Sequence, residues 1–221
     1  MRLFSLYFGD GSRFEITASY AYEEELLGTA GAIKNAARFM TGGQVFVLNA
    51  DTFYRIDYSR FPKLCEEKQL DMALVLREVP DITRYGEATL IDGILTGFNE
   101  KSAEKRPGTI NGGIYLLSKD LIQDIPAGKV SLENEMIPKW MKEGRRLGGF
   151  VNDGYFIDIG VPEDYFRFQK ESALAAAERM WRHSARNRAV RSSEAPSINT
   201  HIVPSYQERM TRSSSILWIL I

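Results

Sequence analysis

The sequence predicts an α/β fold with a mixed, mostly parallel sheet flanked by helices. Three observations predict it. Strand-like and helix-like patterns alternate from about Tyr7 to Lys170. The segments "QVFVLNA" and "DMALVLREV" hold apolar runs of the kind found in strands covered on both faces. Several helix-like segments open on a capping residue or a proline, the usual signals of a helix start.

Taken in order, "RFEITASYAY" reads as a strand and "GTAGAIKNAARFM" as a helix with Thr29 as N-cap. "QVFVLNA" reads as a buried strand after the turn signal Thr41-Gly42-Gly43. "RFPKLCEEKQ" is helical from Pro62, because proline suits a first turn. "DMALVLREV" is a strand, and "ATLIDGILTGFNEK" is a hairpin turning at Asp92-Gly93. "GTINGGIYLLS" is a strand, followed by a helix capped by Ser118. "SLENEMIPKWMKEG" is a helix capped by Ser131, interrupted at Pro138 and stopped by Gly144. "LGGFVNDGYFIDIG" reads as extended, and "VPEDYFRFQKES" as a helix started by Pro162.

Composition bounds the chemistry. With 221 residues, 44% apolar and 26% charged, the chain is an ordinary soluble globular protein of one domain, or one domain and a tail. A net charge of -1 points to neither a nucleic-acid nor a membrane partner. One cysteine, Cys65, excludes an internal disulfide and a thiolate cluster. No signal-peptide core is visible near the N-terminus, and "ILWILI" is too short to span a bilayer, so the reading is cytoplasmic. Both histidines, His183 and His201, lie near the C-terminus. The body therefore works without imidazole, which excludes Ser-His-Asp and Cys-His mechanisms there and directs any metal to oxygen ligands, hence Mg²⁺ or Mn²⁺.

All ten lysines and all eleven aspartates precede Ser172, whereas Ser172 to Ile221 has seven arginines and no lysine. The chain thus divides into a body, 1–171, and an extension, 172–221, that is helical at "ESALAAAERMWRH" and then disordered or weakly ordered.

Two carboxylates stand out. Asp51 ends the apolar run Val45 to Leu48, at the carboxyl end of a strand, where open α/β sheets bind ligands. An Asx-turn is the simpler alternative for it. Asp158 lies between Ile157 and Ile159 and is too far upstream of Pro162 to cap the next helix. An ionised carboxylate among apolar neighbours is costly unless it is paired or bound to a cation. Together they suit Mg²⁺, which takes one or two carboxylates plus substrate phosphates. Gly28 and Gly31 in "LLGTAGAIKNA" offer a close backbone approach to a base or ribose, or else simple helix-to-sheet packing.

The segments "YFGDGSRF", "EEELLGTAGAIKNA", "FVLNADTFYRID", "RYGEATLIDGILTGFNEK", "TINGGIYLLSKDLI", "VSLENEMIPKW" and "YFIDIGVPEDYFRF" occur in this order. Together the chain resembles the sugar-1-phosphate nucleotidyltransferases, in particular their mannose- and manno-heptose-1-phosphate guanylyltransferase branch. The resemblance implies the Rossmann-like nucleotide-diphospho-sugar transferase fold. It also implies the joining of a nucleoside triphosphate, GTP by overall likeness, and a sugar 1-phosphate into an NDP-sugar, with release of pyrophosphate.

By the same resemblance Asp51 and Asp158 hold Mg²⁺ (or Mn²⁺). Gly28 and Thr29 belong to the nucleotide contact. Tyr85 and Gly86 lie beside the sugar. Glu100 and Lys101 contact the sugar hydroxyls and phosphate, with Lys101 grouped with the aspartates as catalytic. Asn111 and Gly112 position the sugar. A homo-oligomer is compatible with this reading. The G-G-x-G-T-R stretch and P-K-P lysine of the family are not found here. The resemblance therefore implies a domain shortened at its front, lacking a central strand and slowed in catalysis. The alternative is a non-catalytic homologue that binds nucleotide or NDP-sugar and regulates a partner.

Overall fold

The structure is a computed structural model and describes residues 2–99, 104–173 and 216–220. The chain forms two compact units, one of residues 1–156 with 213–221 and the other of residues 157–212.

The first unit is built on a sheet whose strands alternate between two buried faces. Its strands are β1 (Gln44–Leu48), β3 (Met72–Val79), β4 (Glu87–Ile91), β5 (Ile94–Asn99), β6 (Gly108–Ser118), β7 (Leu147–Val151) and β9 (Ile216–Leu220), with β2 (Thr52–Tyr54) a short strand after β1. Along β1, Val45 and Val47 join one core cluster and Phe46 the other. The same division places Met72, Leu74 and Leu76 opposite Ala73 and Val75, and Tyr115 and Leu117 opposite Ile114 and Leu116. Successive side chains of a strand point to opposite faces, so a sheet covered on both sides needs apolar residues at every position. Helix α1 (Arg2–Phe8) comes first in the chain; on one face of the sheet lie α2 (Gly28–Ala36), α4 (Lys119–Asp124) and α5 (Ile137–Lys142), supplying Ile33, Leu121 and Trp140. On the other lies α3 (Arg60–Lys68), supplying Phe61 and Cys65.

The main strand order is β9-β1-β6-β3-β7. The pairs β1–β9 and β3–β7 are parallel, whereas β6 is antiparallel to both β1 and β3. Four of these five strands thus run one way and β6 alone is reversed. The hairpin of β4 and β5 turns at Asp92 and Gly93, both at positive φ, and touches β6 and β7 through single pairs.

Four expectations change. "RFEITASYAY" is not a strand. Its backbone groups close a local turn, in which Ile16 N donates to Gly11 O and Ala18 N to Asp10 O, with Glu15 at φ 58. Thr29 does not cap its own helix. The N-cap is Leu27, and the Thr29 hydroxyl is engaged elsewhere. Helix α3 begins two residues before Pro62, after a turn in which the Asp57 carboxylate accepts from Ser59 N and Oγ. The extension after residue 171 contributes a strand, β9, which pairs along the whole of β1. The remainder of its helical and disordered reading, 174–215, lies outside the described residues.

The expected caps at Ser118 and Ser131 accept from Leu121 N and Asn134 N. Ser131 leads into a π-helical turn, Leu132–Met136, which runs on into α5 with Pro138 in the first turn of that helix. Asp124 ties α4 to α5, accepting from Lys139 Nζ and from Trp140 Nε1, both at 2.7 Å. These two bonds, the Lys139 bond first, hold the Asp124 carboxyl below its ordinary value. Because the folded state lowers it, the stabilisation is fully present above about pH 4, the ordinary aspartate value, and is lost as pH falls through the lower folded value. Asp124→Ala leaves the buried Trp140 N–H unpaired, and we expect a loss of roughly 1–3 kcal/mol at pH 7. Urea unfolding of both chains checks this, and their difference should shrink in acid.

The second unit is described in Ile157, Asp158 and the helix 162–173; the strand β8 (Phe156–Asp158) carries its first residues. Arg167 pairs with Asp164 at 3.1 Å along that helix. No described helix is long and apolar enough to cross a membrane.

Candidate functional site

The reversed direction of β6 assembles the site. Strand β1 delivers Asn49, Ala50 and Asp51 at its carboxyl end. Because β6 runs the opposite way, its early residues lie at that same end: Leu48 pairs with Ile114, and Asn49 N–H donates to Gly113 O at 2.9 Å. On its other side β6 pairs Asn111 with Leu76 of β3. Asn111 N–H donates to Gly86 O at 3.0 Å, which brings Tyr85 and Gly86 to the same sheet end. The Tyr85 ring lies 6.1 Å from that of Phe156. Asp51, Asn111, Gly112, Tyr85 and Gly86 are therefore carried by neighbouring segments of one unit, at the end of the sheet where ligands bind.

A polar chain links this end to α2. Asn111 Oδ1 accepts from Gly113 N at 3.1 Å, and Asn111 Nδ2 donates to the Tyr115 hydroxyl. Tyr115 donates to Glu133 Oε1 at 2.8 Å, and Thr29 Oγ1 donates to Glu133 Oε2 at 3.0 Å. Thr29 Oγ1 in turn accepts from Leu132 N at 2.7 Å. Tyr115 is fully buried. Burial first, and then the Glu133 carboxylate, hold its phenol well above the ordinary value, so it remains a donor at neutral pH.

The start of α2 is set by backbone packing. Ala30 N and Gly31 N donate to Val130 O, and Val130 N donates to Leu27 O. A Cβ on Gly28 would lie 2.6 Å from Val130 O, and one on Gly31 would lie 2.4 Å from Gly128 O. The missing side chains therefore admit the 128–130 segment, a loop rather than the sheet that the sequence offered as the packing alternative. Gly112 is similar, since its Cβ would meet the Tyr54 ring at 2.7 Å.

Asp51 is exposed, and its Oδ1 accepts from Thr52 Oγ1 at 3.4 Å. Two residues before it, Asn49 Oδ1 is buried with no hydrogen-bond partner. A buried acceptor left unmatched normally costs stability, and this one lies two residues before Asp51. No group of three or more His, Cys, Asp or Glu suited to a metal occurs among the described residues. Asp158 lies in the second unit, where its Oδ1 accepts from Gly160 N at 2.8 Å. Glu100 and Lys101 lie outside the described residues. The flanking segments are fixed by Arg106, whose guanidinium donates to both oxygens of Glu87 at 2.7 and 2.8 Å.

Sequence reasoning missed Asn49, Tyr115 and Glu133 as site residues. "VSLENEMIPKW" holds two glutamates with different tasks: Glu135 returns to Ser131 N, while Glu133 turns inward. The π-helical turn shifts the spacing that would have marked Glu133 as facing inward.

The Nucleotidyl transferase family model matches residues 2–174. The chain belongs to this nucleotidyltransferase family. The D-glycero-alpha-D-manno-heptose 1-phosphate guanylyltransferase of Campylobacter jejuni is 42% identical over 69% of the chain and 66% of its own length. The enzyme of that name from Aneurinibacillus thermoaerophilus is 35% identical over 73% and 70%. The chain spans about two thirds of the length of these relatives. HddC from Yersinia pseudotuberculosis, solved with GMP-PN, has a TM-score of 0.61 and 34% identity, covering 74% of this chain and 72% of its own. The family and fold expected of this nucleotidyltransferase from its sequence are thus borne out.

Proposed function

We propose that the chain joins GTP and a manno-configured sugar 1-phosphate into an NDP-sugar, releasing pyrophosphate. The observation that carries this reading is the convergence of Asn49, Asp51, Gly86 and Asn111 at one sheet end in a nucleotidyltransferase. In the reaction an oxygen of the sugar phosphate forms a bond to the α-phosphorus of GTP. The bond from that phosphorus to the bridging oxygen of the β-phosphate breaks, and the oxygen leaves with pyrophosphate.

Both reactants are anions, so their repulsion must be offset. Asp51, with the unmatched Asn49 Oδ1 beside it, offers hard oxygen donors of the type Mg²⁺ prefers. A bound Mg²⁺ would neutralise charge on the phosphate oxygens. Asp158 is the second carboxylate that the resemblance implies, and Glu100 and Lys101 are the sugar and phosphate contacts it implies. The α2 start, with Gly28 and Thr29, takes the nucleotide, and Asn111, Gly112, Tyr85 and Gly86 take the sugar. The reading is one of work in the cytoplasm, with a homo-oligomer compatible.

A pyrophosphate-release assay with residues 1–221, GTP and mannose or manno-heptose 1-phosphate tests the reading. The chain holds no G-G-x-G-T-R stretch to cover the triphosphate. A single well-placed arginine can be worth about 10³–10⁵ in phosphoryl-transfer rate. We therefore expect Asp51-dependent release at least about 10³-fold slower than the ordinary enzyme range of about 1–10³ s⁻¹. Binding without any release would favour the non-catalytic alternative.

A further inference from the structure

Glu133 was not among the site residues that the motifs suggested, yet its carboxylate bonds Thr29 directly and reaches Asn111 through Tyr115. Its two oxygens accept different hydrogen bonds, one from Tyr115 and one from Thr29. Beyond Tyr115 lies the carboxamide of Asn111, and beyond Thr29 lies the backbone where the π-helical turn begins. We propose that Glu133 is a positioning residue that sets both halves of the site at once, orienting the sugar-binding Asn111 through Tyr115 and the nucleotide-binding start of α2 through Thr29.

The hydrogen-bond directions support this assignment. An unrestrained asparagine amide can present either end to a ligand. Here the Tyr115 hydroxyl gives its only proton to Glu133 and must therefore accept from Asn111, which fixes Nδ2 toward Tyr115. The Oδ1 end is fixed independently by Gly113 N. One N–H and one lone pair of Asn111 remain in defined directions, which suits a pair of sugar hydroxyls. Thr29 is held in the same way: its single proton goes to Glu133, and its oxygen accepts from Leu132 N. Because these bonds run from β6 through Glu133 to α2, the two half-sites share one anchor. Pre-organisation of this kind lowers the ordering cost of binding.

The proposal rests on the functional reading above, and separate variants cut its two arms. Tyr115→Phe keeps the ring and its volume but removes the hydroxyl. Thr29→Val keeps the shape and removes the other hydroxyl. Glu133→Gln keeps the length but cannot accept at both ends. Titration calorimetry on the full chain in Mg²⁺, with mannose 1-phosphate and GTP as separate probes, reads the effect. For Tyr115→Phe we expect mannose 1-phosphate binding to weaken about tenfold, the scale of one lost orienting hydrogen bond, with GTP affinity within about twofold. Thr29→Val should show the reverse pattern, and Glu133→Gln should weaken both. Circular dichroism and melting establish that each variant is folded, and if Tyr115→Phe does not fold, the Thr29→Val and Glu133→Gln pair decides. Folded variants that leave both affinities unchanged, or that shift both probes equally whichever arm is cut, would overturn the proposal while leaving the functional reading intact. A parent chain that binds neither probe would overturn both.

Discussion

A chain lacking residues 213–221 is expected to melt at least about 6 °C below the full chain, taking roughly 3 kcal/mol lost at about 2–4 °C per kcal/mol for a protein of this size. Strand β9 pairs with β1 from Gln44–Ile216 to Leu48–Leu220. Val45, Phe46 and Val47 of β1 are 0%, 2% and 0% exposed. Deleting β9 strips backbone partners from the outer edge of this strand, at roughly 1–3 kcal/mol for each buried group left unmatched. Against a total domain stability of about 5–15 kcal/mol, a few such groups matter. The bared edge would also be a template for aggregation. A melting point within about 2 °C of the parent would show that β9 contributes little. The resemblance implied a domain lacking a central strand; in the structure β9 pairs along β1.

Gly28→Ala is expected to destabilise by several kcal/mol, since a left-handed non-glycine residue and a core overlap each cost about 1–3 kcal/mol. Gly28 has φ +69, and its Cβ would lie 2.6 Å from the backbone oxygen of Val130. That oxygen also accepts from Ala30 N and Gly31 N, so it cannot withdraw without loosening the start of α2. Urea denaturation measures the loss. A variant of unchanged stability would show that the Val130 segment gives way at little cost.

Residue patterns made much of the fold legible. The apolar runs of β1, β3 and β6, the caps at Ser118 and Ser131, and the turn at Asp92-Gly93 depend on local chemistry. Strand direction does not, because alternation reports burial and carries no sign of which way a chain runs. The reversal of β6, which places Gly113 beside Asn49, was therefore invisible. So was the pairing of "ILWIL", which the sequence placed in a disordered extension, because a contact with a strand far earlier in the chain leaves no local signal. In "RFEITASYAY", spacing suited to a strand lost to turn chemistry around Gly11 and Glu15. Asp51 is conspicuous in the sequence as a carboxylate after an apolar run, and it follows the carboxyl end of β1. Tyr115 and Glu133 are not, because a buried tyrosine on a strand looks like core until its hydroxyl finds a partner.

We expect the carboxyl end of β1 to hold a nucleotide through Mg²⁺ on Asp51. Calorimetric titration of the full chain with GTP, in Mg²⁺ and again in EDTA, beside Asp51→Ala, reads this. We expect binding in Mg²⁺ that weakens at least about tenfold, or about 1.4 kcal/mol, on chelation and in that variant. Equal affinity of the parent chain and Asp51→Ala in Mg²⁺ would contradict the claim.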